Sequence, residues 1–247
     1  MSLFTRTRPA IERGIWVTIA ISAVLIGLVG AAGFFDRDPY TYYPAKGAAK
    51  PVLAVNFSGD MGMRFLLGAS TSRGLTEHGV AVLGVTTPAL FRRHRTRAEV
   101  DAIVADGVRA AIARAGGRKI VVQGQSYGAD IVQTGMARLP AELRPHIAAI
   151  ILILPGETAF FRADPTSVEY MRTPDSYAKD TINSLTWAPL TCIYGREETD
   201  SACPALTVPG ARKVAMPGSH TIDHDEAGLL RHVLESIHAV APEVPAR

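Results

Sequence analysis

Hydrophobic and polar positions divide the chain into one long apolar run and a region in which short apolar runs alternate with longer amphipathic ones. Residues 14–35 carry no charged side chain, and most of these positions hold Ile, Val, Leu, Ala or Gly. A helix of this length can cross a hydrocarbon core of about 30 Å. The pattern therefore predicts a transmembrane helix near the N-terminus.

The charges on either side of this run give its orientation. Arginines precede it and aspartates follow it, namely Arg6, Arg8, Arg13, Asp36 and Asp38. Because positive charge favours the cytoplasmic side, residues 1–13 are predicted to be cytoplasmic and the rest periplasmic, in a single-pass inner-membrane protein. A signal peptide cleaved near residues 30–32 is the alternative. Its apolar core would usually span only about 7–15 residues, which favours an uncleaved anchor.

Beyond a predicted linker at 36–50, the apolar runs indicate strands and the amphipathic segments indicate helices. The predicted strands are Val52–Phe57, Val80–Val85, Lys119–Gln123, Ala148–Leu154 and Leu190–Tyr194, with a weaker one at Lys213–Ala215. The predicted helices are Arg64–Glu77, Arg97–Ala115, Gly128–Arg138 and Asp225–Ala239. Such alternation is typical of a mostly parallel sheet covered by helices on both faces. Residues 51–247 are thus predicted to form one three-layer domain, with 157–186 as an insertion near the mouth of its site.

Composition adds little to this interpretation. The chain is 47% hydrophobic and 20% charged, with a formal net charge of +3, which is ordinary for a globular protein. No basic stripe interleaved with aromatic residues is present, so the sequence does not indicate nucleic-acid binding. It also has no Cys/His cluster of the kind that binds metal, and it implies no cofactor.

A candidate nucleophile lies between a predicted strand and a predicted helix. Ser126 is the central residue of GQSYG, residues 124–128. A sharp strand-to-helix turn with flanking glycines exposes a serine hydroxyl above the carboxyl ends of the strands, and the helix N-terminus behind it can stabilise an oxyanion. This context predicts an α/β-hydrolase-like three-layer sandwich, preceded by the transmembrane helix, with Ser126 as its catalytic serine.

A serine of this kind needs a base and an acid, which follow it in chain order. His220 is the predicted base, because it lies in a loop between the last predicted strand and the last helix. His224 in the same loop is the alternative. Asp200, after the strand LTCIYG, is the predicted acid, since several loop residues would let its carboxylate turn back toward His220. Glu197 and Glu198 are the alternatives.

Two further features surround these residues. The loop SGDMG after the first domain strand is predicted to supply a backbone N–H from Asp60 or Met61 to an oxyanion hole, together with the N–H of Tyr127. Cys192 and Cys203 bracket the predicted acid, and in an oxidising compartment they can pair and brace that loop.

Several segments taken in order resemble the bacterial VirJ/AcvB virulence-protein family. They are FSGDMG, GVTTPALFRRHRT, GQSYGADI, RLPAEL, CIYGREETDSACP and PGSH, within residues 51–240. The resemblance implies a periplasmic α/β hydrolase that cleaves aminoacylated phosphatidylglycerol, such as the lysyl form, and an association with type IV secretion components. By motif it implies the triad Ser126, Asp200 and His220. The chain departs from the family's SGDGGW with SGDMGM, which bears on its substrate.

Three functions follow as hypotheses. The first is a serine esterase for aminoacyl-phospholipid headgroups, held at the membrane by its anchor. The second is a general carboxylesterase, thioesterase or peptidase that acts on a small ester or related substrate with the same triad. The third is a periplasmic binding or chaperone module of a secretion system that retains the fold without activity.

Overall fold

The computed structural model describes residues 8–246, so the first seven residues of the predicted cytoplasmic segment lie outside the described chain. The helices are α1 (Arg8–Ala31), α2 (Leu66–Glu77), α3 (Thr87–Leu90), α4 (Arg97–Ala115), α5 (Tyr127–Met136) and α6 (Glu226–His238). The strands are β1 (Tyr40–Tyr43), β2 (Val52–Phe57), β3 (Ala81–Val85), β4 (Lys119–Gln125), β5 (Ile147–Ile153), β6 (Thr158–Ala159), β7 (Ser176–Tyr177), β8 (Leu190–Gly195) and β9 (Arg212–Met216).

A seven-stranded sheet runs through the domain in the order β1-β3-β2-β4-β5-β8-β9. All pairs are parallel except β1 with β3. The chain passes from β2 outward to β3 and then returns to place β4 on the other side of β2. Open parallel sheets bind their ligands at such a reversal, outside the carboxyl ends of the strands. The loops after β2 and β4 are therefore placed side by side.

Helices cover both faces of this sheet. On one face α4 and α5 pack on a core that includes Phe57, Val104 and Ile131. On the other face α2 and α6 pack on a second core that includes Leu75 and Leu229. Five strands, namely β2, β3, β4, β5 and β8, are almost wholly buried between these layers, as a parallel sheet with two covered faces requires. The predicted fold class is confirmed.

Helix α1 is long and apolar enough to span a membrane, because its stretch Glu12–Ala31 covers 20 residues. At about 1.5 Å per residue this corresponds to about 30 Å, the thickness of a bilayer core. None of that stretch is buried against the rest of the protein. The helix begins at Arg8, before the predicted start at residue 14. It ends at Ala31, before the predicted end at residue 35, because residues 32–35 form turns.

The prediction of a linker at 36–50 was wrong for its central part. Residues 40–43 form β1, which pairs antiparallel with β3, from Tyr40 opposite Val85 to Tyr43 opposite Val82. This strand covers the edge of the sheet that β3 would otherwise leave unpaired. The segment after α1 is thus part of the domain.

The insertion at 157–186 contains the hairpin-like pair β6–β7 and three short 3₁₀ turns. It packs against α5, since the buried Thr181 hydroxyl contacts the side chain of Gln133. Its backbone also joins the chain that follows β8, where the N–H of Glu157 donates to the carbonyl of Asp200 at 2.7 Å. The insertion therefore lies over the carboxyl ends of the strands.

The structure joins Cys192, in β8, to Cys203 in a disulfide that closes a loop with a sequence separation of 11 residues. Replacing both cysteines by alanine is expected to lower the free energy of unfolding by about 3 kcal/mol, because the unfolded chain regains the loop-closure entropy. Urea unfolding of the full chain in detergent measures this. Reduced wild type is the control that keeps both sulfur atoms in place. A loss below about 1 kcal/mol in both proteins would contradict the prediction.

Candidate active site

Ser126 lies in the turn that connects β4 to α5. Its backbone has φ 50° and ψ −126°, a conformation that is uncommon for a residue with a side chain. The turn is held on both sides, because the N–H of Ser126 donates to the carbonyl of Ile153 at 2.8 Å and its carbonyl accepts from Ala129 at 2.7 Å. The strained turn presents the hydroxyl at the carboxyl edge of the sheet.

The two glycines of GQSYG are required by close backbone approach. A Cβ on Gly128 would lie 2.2 Å from the carbonyl oxygen of Phe57, and one on Gly124 would lie 2.5 Å from the carbonyl oxygen of Gly128. No side chain fits at either position without movement of the backbone. The glycines therefore let α5 pack directly against the end of β2, which brings the nucleophile beside the loop that follows β2.

His220 lies in the loop between β9 and α6, and its Nε2 is 2.8 Å from Oγ of Ser126. The loop is fixed to the chain after β8, since the N–H of Glu197 donates to the carbonyl of Gly218 at 2.9 Å. His224, the alternative base, lines the same pocket but makes no hydrogen bond to Ser126. The structure thus brings together the predicted nucleophile and the predicted base.

The carboxylate beside His220 is Glu198, not Asp200. Glu198 contacts Nδ1 of His220, and its side chain is only 5% exposed. The reason is a tight turn directly after β8, in which the N–H of Glu198 donates to the carbonyl of Gly195 at 3.1 Å. By Asp200 the chain has left the site and pairs with the insertion at Glu157. The prediction of Asp200 was wrong on this point, and its alternative Glu198 is the residue in contact.

These contacts affect the titration of His220. The hydrogen bond to Glu198 raises the pKa of His220 above its ordinary value, and partial burial opposes this increase. The negative charges of Glu198, Asp200 and Asp60 act in the same direction as the hydrogen bond. A carboxylate on Nδ1 also leaves Nε2 free to accept a proton from the serine, which is the tautomer that a general base needs.

The loop after β2 supplies the third side of the site. A Cβ on Gly59 would lie 3.4 Å from Cβ of Ser126, so Gly59 packs directly against the nucleophile. Asp60 and Met61, the predicted oxyanion donors, follow it and line the pocket around Ser126. The N–H of Tyr127 is the first amide of α5 and belongs to the helix terminus that lacks intrahelical partners. The three predicted residues therefore surround the nucleophile.

Tyr170 from the insertion reaches this loop, a contact that the sequence did not indicate. Its hydroxyl donates to Oδ1 of Asp60 at 2.7 Å, and its ring packs near those of Tyr127 and Phe160. Burial raises the pKa of Asp60 above its ordinary value, while the hydrogen bond from Tyr170 and the nearby His220 act to lower it. The Asp60 side chain is thus held in place beside the nucleophile by the insertion.

A pocket of about 270 Å³ opens next to Ser126 and His220. Its apolar side chains are Met61, Phe65, Leu67 and Leu154. Its acidic side chains are Asp60 and Glu226, and among residues 8–246 no lysine or arginine lines it. The pocket therefore combines an apolar wall with negative charge.

The fold has many solved relatives of low sequence identity. Est1E from Butyrivibrio proteoclasticus, solved with ferulic acid, is 16% identical with a TM-score of 0.58, covering 81% of this chain and 94% of that one. An α/β serine hydrolase without a lid from Xanthomonas campestris is 19% identical with a TM-score of 0.54, covering 83% and 90%. A thioesterase-like protein from a Silicibacter species, described as putative in its own name, is 17% identical with a TM-score of 0.55, covering 85% and 83%.

Identities this low establish the α/β-hydrolase fold and nothing finer. No curated protein sequence matches the chain. A family model does match, over residues 51–241, and its description is bacterial virulence protein VirJ. That match spans all of the elements that build the site, from β2 to α6. The chain therefore belongs to the VirJ family and has an α/β-hydrolase fold.

Proposed function

We propose that the protein is a serine esterase anchored in the inner membrane, with its catalytic domain in the periplasm. The observation that carries this proposal is the continuous line of contacts from Ser126 through His220 to Glu198. A hydroxyl, an imidazole and a carboxylate in this order are the parts that an acyl-transfer site needs.

In the proposed reaction, Oγ of Ser126 attacks the ester carbonyl as its proton passes to Nε2 of His220. The oxyanion that forms accepts hydrogen bonds from the N–H of Tyr127 and from an N–H of the loop at Asp60 or Met61. Collapse of this intermediate releases the alcohol, which takes the proton from His220. Water then attacks the acyl-enzyme by the same route, giving the free acid and restoring Ser126.

The substrate that we propose is an aminoacyl ester of phosphatidylglycerol, as in the lysyl form. The acidic side chains of the pocket, Asp60 and Glu226, favour the ammonium groups of such an ester. Burial raises the pKa of Asp60, and a bound ammonium group would lower that pKa and favour the charged carboxylate. The anchor favours a substrate that lies in the same membrane. Association with type IV secretion components is a further proposal, supported by family membership.

The test compares esters that differ in charge. Full-length protein in mixed micelles is expected to hydrolyse lysyl-phosphatidylglycerol with a higher kcat/KM than p-nitrophenyl esters of any acyl length. Asp60→Asn keeps the size, the backbone N–H and an acceptor for Tyr170, and removes the charge. It is expected to lower kcat/KM roughly tenfold for the lysyl ester, and less for an uncharged ester.

Two outcomes would favour the other functions. A preference for long acyl chains, with lysyl-phosphatidylglycerol left intact, would indicate a general carboxylesterase or thioesterase. The apolar wall of the pocket would then bind the acyl chain. A folded protein that cleaves no ester or thioester would indicate a binding or chaperone module.

A further inference from the structure

We propose that the mouth of the pocket docks on the bilayer that holds α1, through an apolar rim, and that Arg64 fixes the domain in this orientation. The apolar rim consists of Phe35, Met61 and Phe65. This inference rests on the proposed membrane anchoring, but it does not depend on which ester is the substrate.

The domain is joined to α1 without a flexible connection. The Arg64 guanidinium donates from Nη1 to the carbonyl of Ala31 at 3.2 Å and from Nη2 to Oδ2 of Asp36 at 2.8 Å. Ala32 and Gly33 are buried, and Phe34 packs against the main core. The segment that leaves the helix is therefore held by the domain from its first residue, and Arg64 bridges its two ends.

The contact path from α1 to the nucleophile is short. The carbonyl oxygen of Ala32 lies 1.9 Å from the position that a Cβ on Gly62 would take, so these backbones touch. The N–H of Gly62 donates to the carbonyl of Gly59 at 3.0 Å, and Gly59 packs on Ser126. The Cα atoms at the two ends of such a turn are less than about 7 Å apart. With the two contacts added, the path from Ala32 through Gly62 and Gly59 to Ser126 is no longer than about 16 Å. The nucleophile thus lies next to the headgroup layer that begins where α1 leaves the hydrocarbon.

The apolar rim surrounds the same junction. Phe35 is 54% exposed, and Met61 and Phe65 are each 41% exposed. Phe35 is the fourth residue after the end of α1, while Met61 and Phe65 also line the pocket. Exposed apolar patches of this kind mark sites of interaction with a protein or a membrane. Since the rim is continuous with the helix end, the bilayer is the partner that lies nearest to it.

The docking is tested by fluorescence in the full-length protein. A Phe65→Cys variant, labelled with an environment-sensitive dye while the native disulfide stays intact, is reconstituted in vesicles of phosphatidylethanolamine and phosphatidylglycerol. Lipids that carry bromine on the part of the acyl chain nearest the headgroup are expected to quench this dye. The same label at exposed Glu142, in the turn that leads into the amino end of β5 and thus on the side of the sheet away from the pocket, is expected to remain unquenched. An unquenched dye at residue 65 would overturn the docking.

A second copy of the protein is the competing partner for the apolar rim. In that case the dye would become more shielded from water as the protein-to-lipid ratio increases, and the brominated lipids would not quench it. This result would identify a second copy as the partner and overturn the proposal. Quenching that is independent of this ratio supports the bilayer.

The role of Arg64 is tested by activity on two esters. Arg64→Ala is expected to lower the rate of hydrolysis of the lipid ester in the same vesicle roughly tenfold, because the pocket is no longer held against the bilayer. The rate of hydrolysis of a water-soluble ester is expected to stay within about twofold of wild type. Arg73→Ala, which removes an exposed arginine from α2, is the matched control and is expected to change neither. Equal loss on both esters would show that Arg64 supports the fold rather than the orientation. If wild type cleaves neither ester, the proposed function fails, while the fluorescence experiment still decides the docking.

Discussion

Replacing Ser126 by alanine is expected to reduce kcat for ester hydrolysis by roughly 10⁴–10⁶-fold and to abolish labelling by a fluorophosphonate probe. The reason is geometric. The Ser126 hydroxyl is 2.8 Å from Nε2 of His220, and it is the atom that the turn between β4 and α5 presents to the pocket. Alanine keeps the same unusual backbone conformation, so the thermal unfolding temperature is expected to change little.

The measurement is in-gel fluorescence of the purified full chain after exposure to the probe. His220→Ala is expected to lose labelling as well, because the hydroxyl is a weak nucleophile without its base. Ser70→Ala is the matched control, since this hydroxyl bonds only to its own helix at the carbonyl of Leu67 and should not affect labelling. A folded wild type that takes no label would contradict the prediction and favour a binding module.

The position of Ser126 in its turn was predictable from sequence because all of its determinants are local. A strand, two glycines and a helix start occupy consecutive residues around Ser126, and each has its own sequence signal. The placement of His220 beside Ser126 was predictable for a related reason, since a triad in this fold has its histidine after the last strand and His220 lies there.

The carboxylate that contacts His220 was not predictable, because Glu197, Glu198 and Asp200 differ only in how the loop turns. The turn that selects Glu198 depends on backbone hydrogen bonds of the loop to Gly195 and to the His220 loop at Gly218. No side-chain pattern records those bonds. The expectation that a longer loop is needed favoured Asp200. The backbone contacts of the folded loop instead place Glu198 against His220.

Long-range pairing explains the other differences. Strand β1 has only four residues, and its partner is the free edge of β3, which a reading of local pattern cannot supply. Tyr170 and Asp60 are 110 positions apart in the sequence, so their contact follows from the path of the whole insertion. In the same way, the packing of Ala32 against Gly62 appears only once the anchor and the domain are folded together.

Glu198→Gln is expected to lower kcat by about 10³–10⁴-fold, whereas Asp200→Asn is expected to lower it by less than about threefold. The Glu198 carboxylate contacts Nδ1 of His220 and fixes the tautomer that leaves Nε2 free. A glutamine can present its amide N–H to Nδ1 instead, which stabilises the wrong tautomer. Asp200 is exposed and acts on His220 only through its charge.

The pH dependence separates these roles further. In the proposed mechanism activity requires neutral His220, so kcat/KM is expected to fall on the acidic side as His220 becomes protonated. Because Glu198 raises the pKa of His220, its replacement is expected to move this acidic limb to lower pH, with only a small shift in the same direction for Asp200→Asn. The residual activity of Glu198→Gln measured from acidic to neutral pH, with the thermal unfolding temperature recorded for each variant, checks both effects. If Asp200→Asn instead gave the large loss and the large shift, the loop after β8 would place Asp200 against His220 in the working enzyme, and the assignment of Glu198 would be wrong.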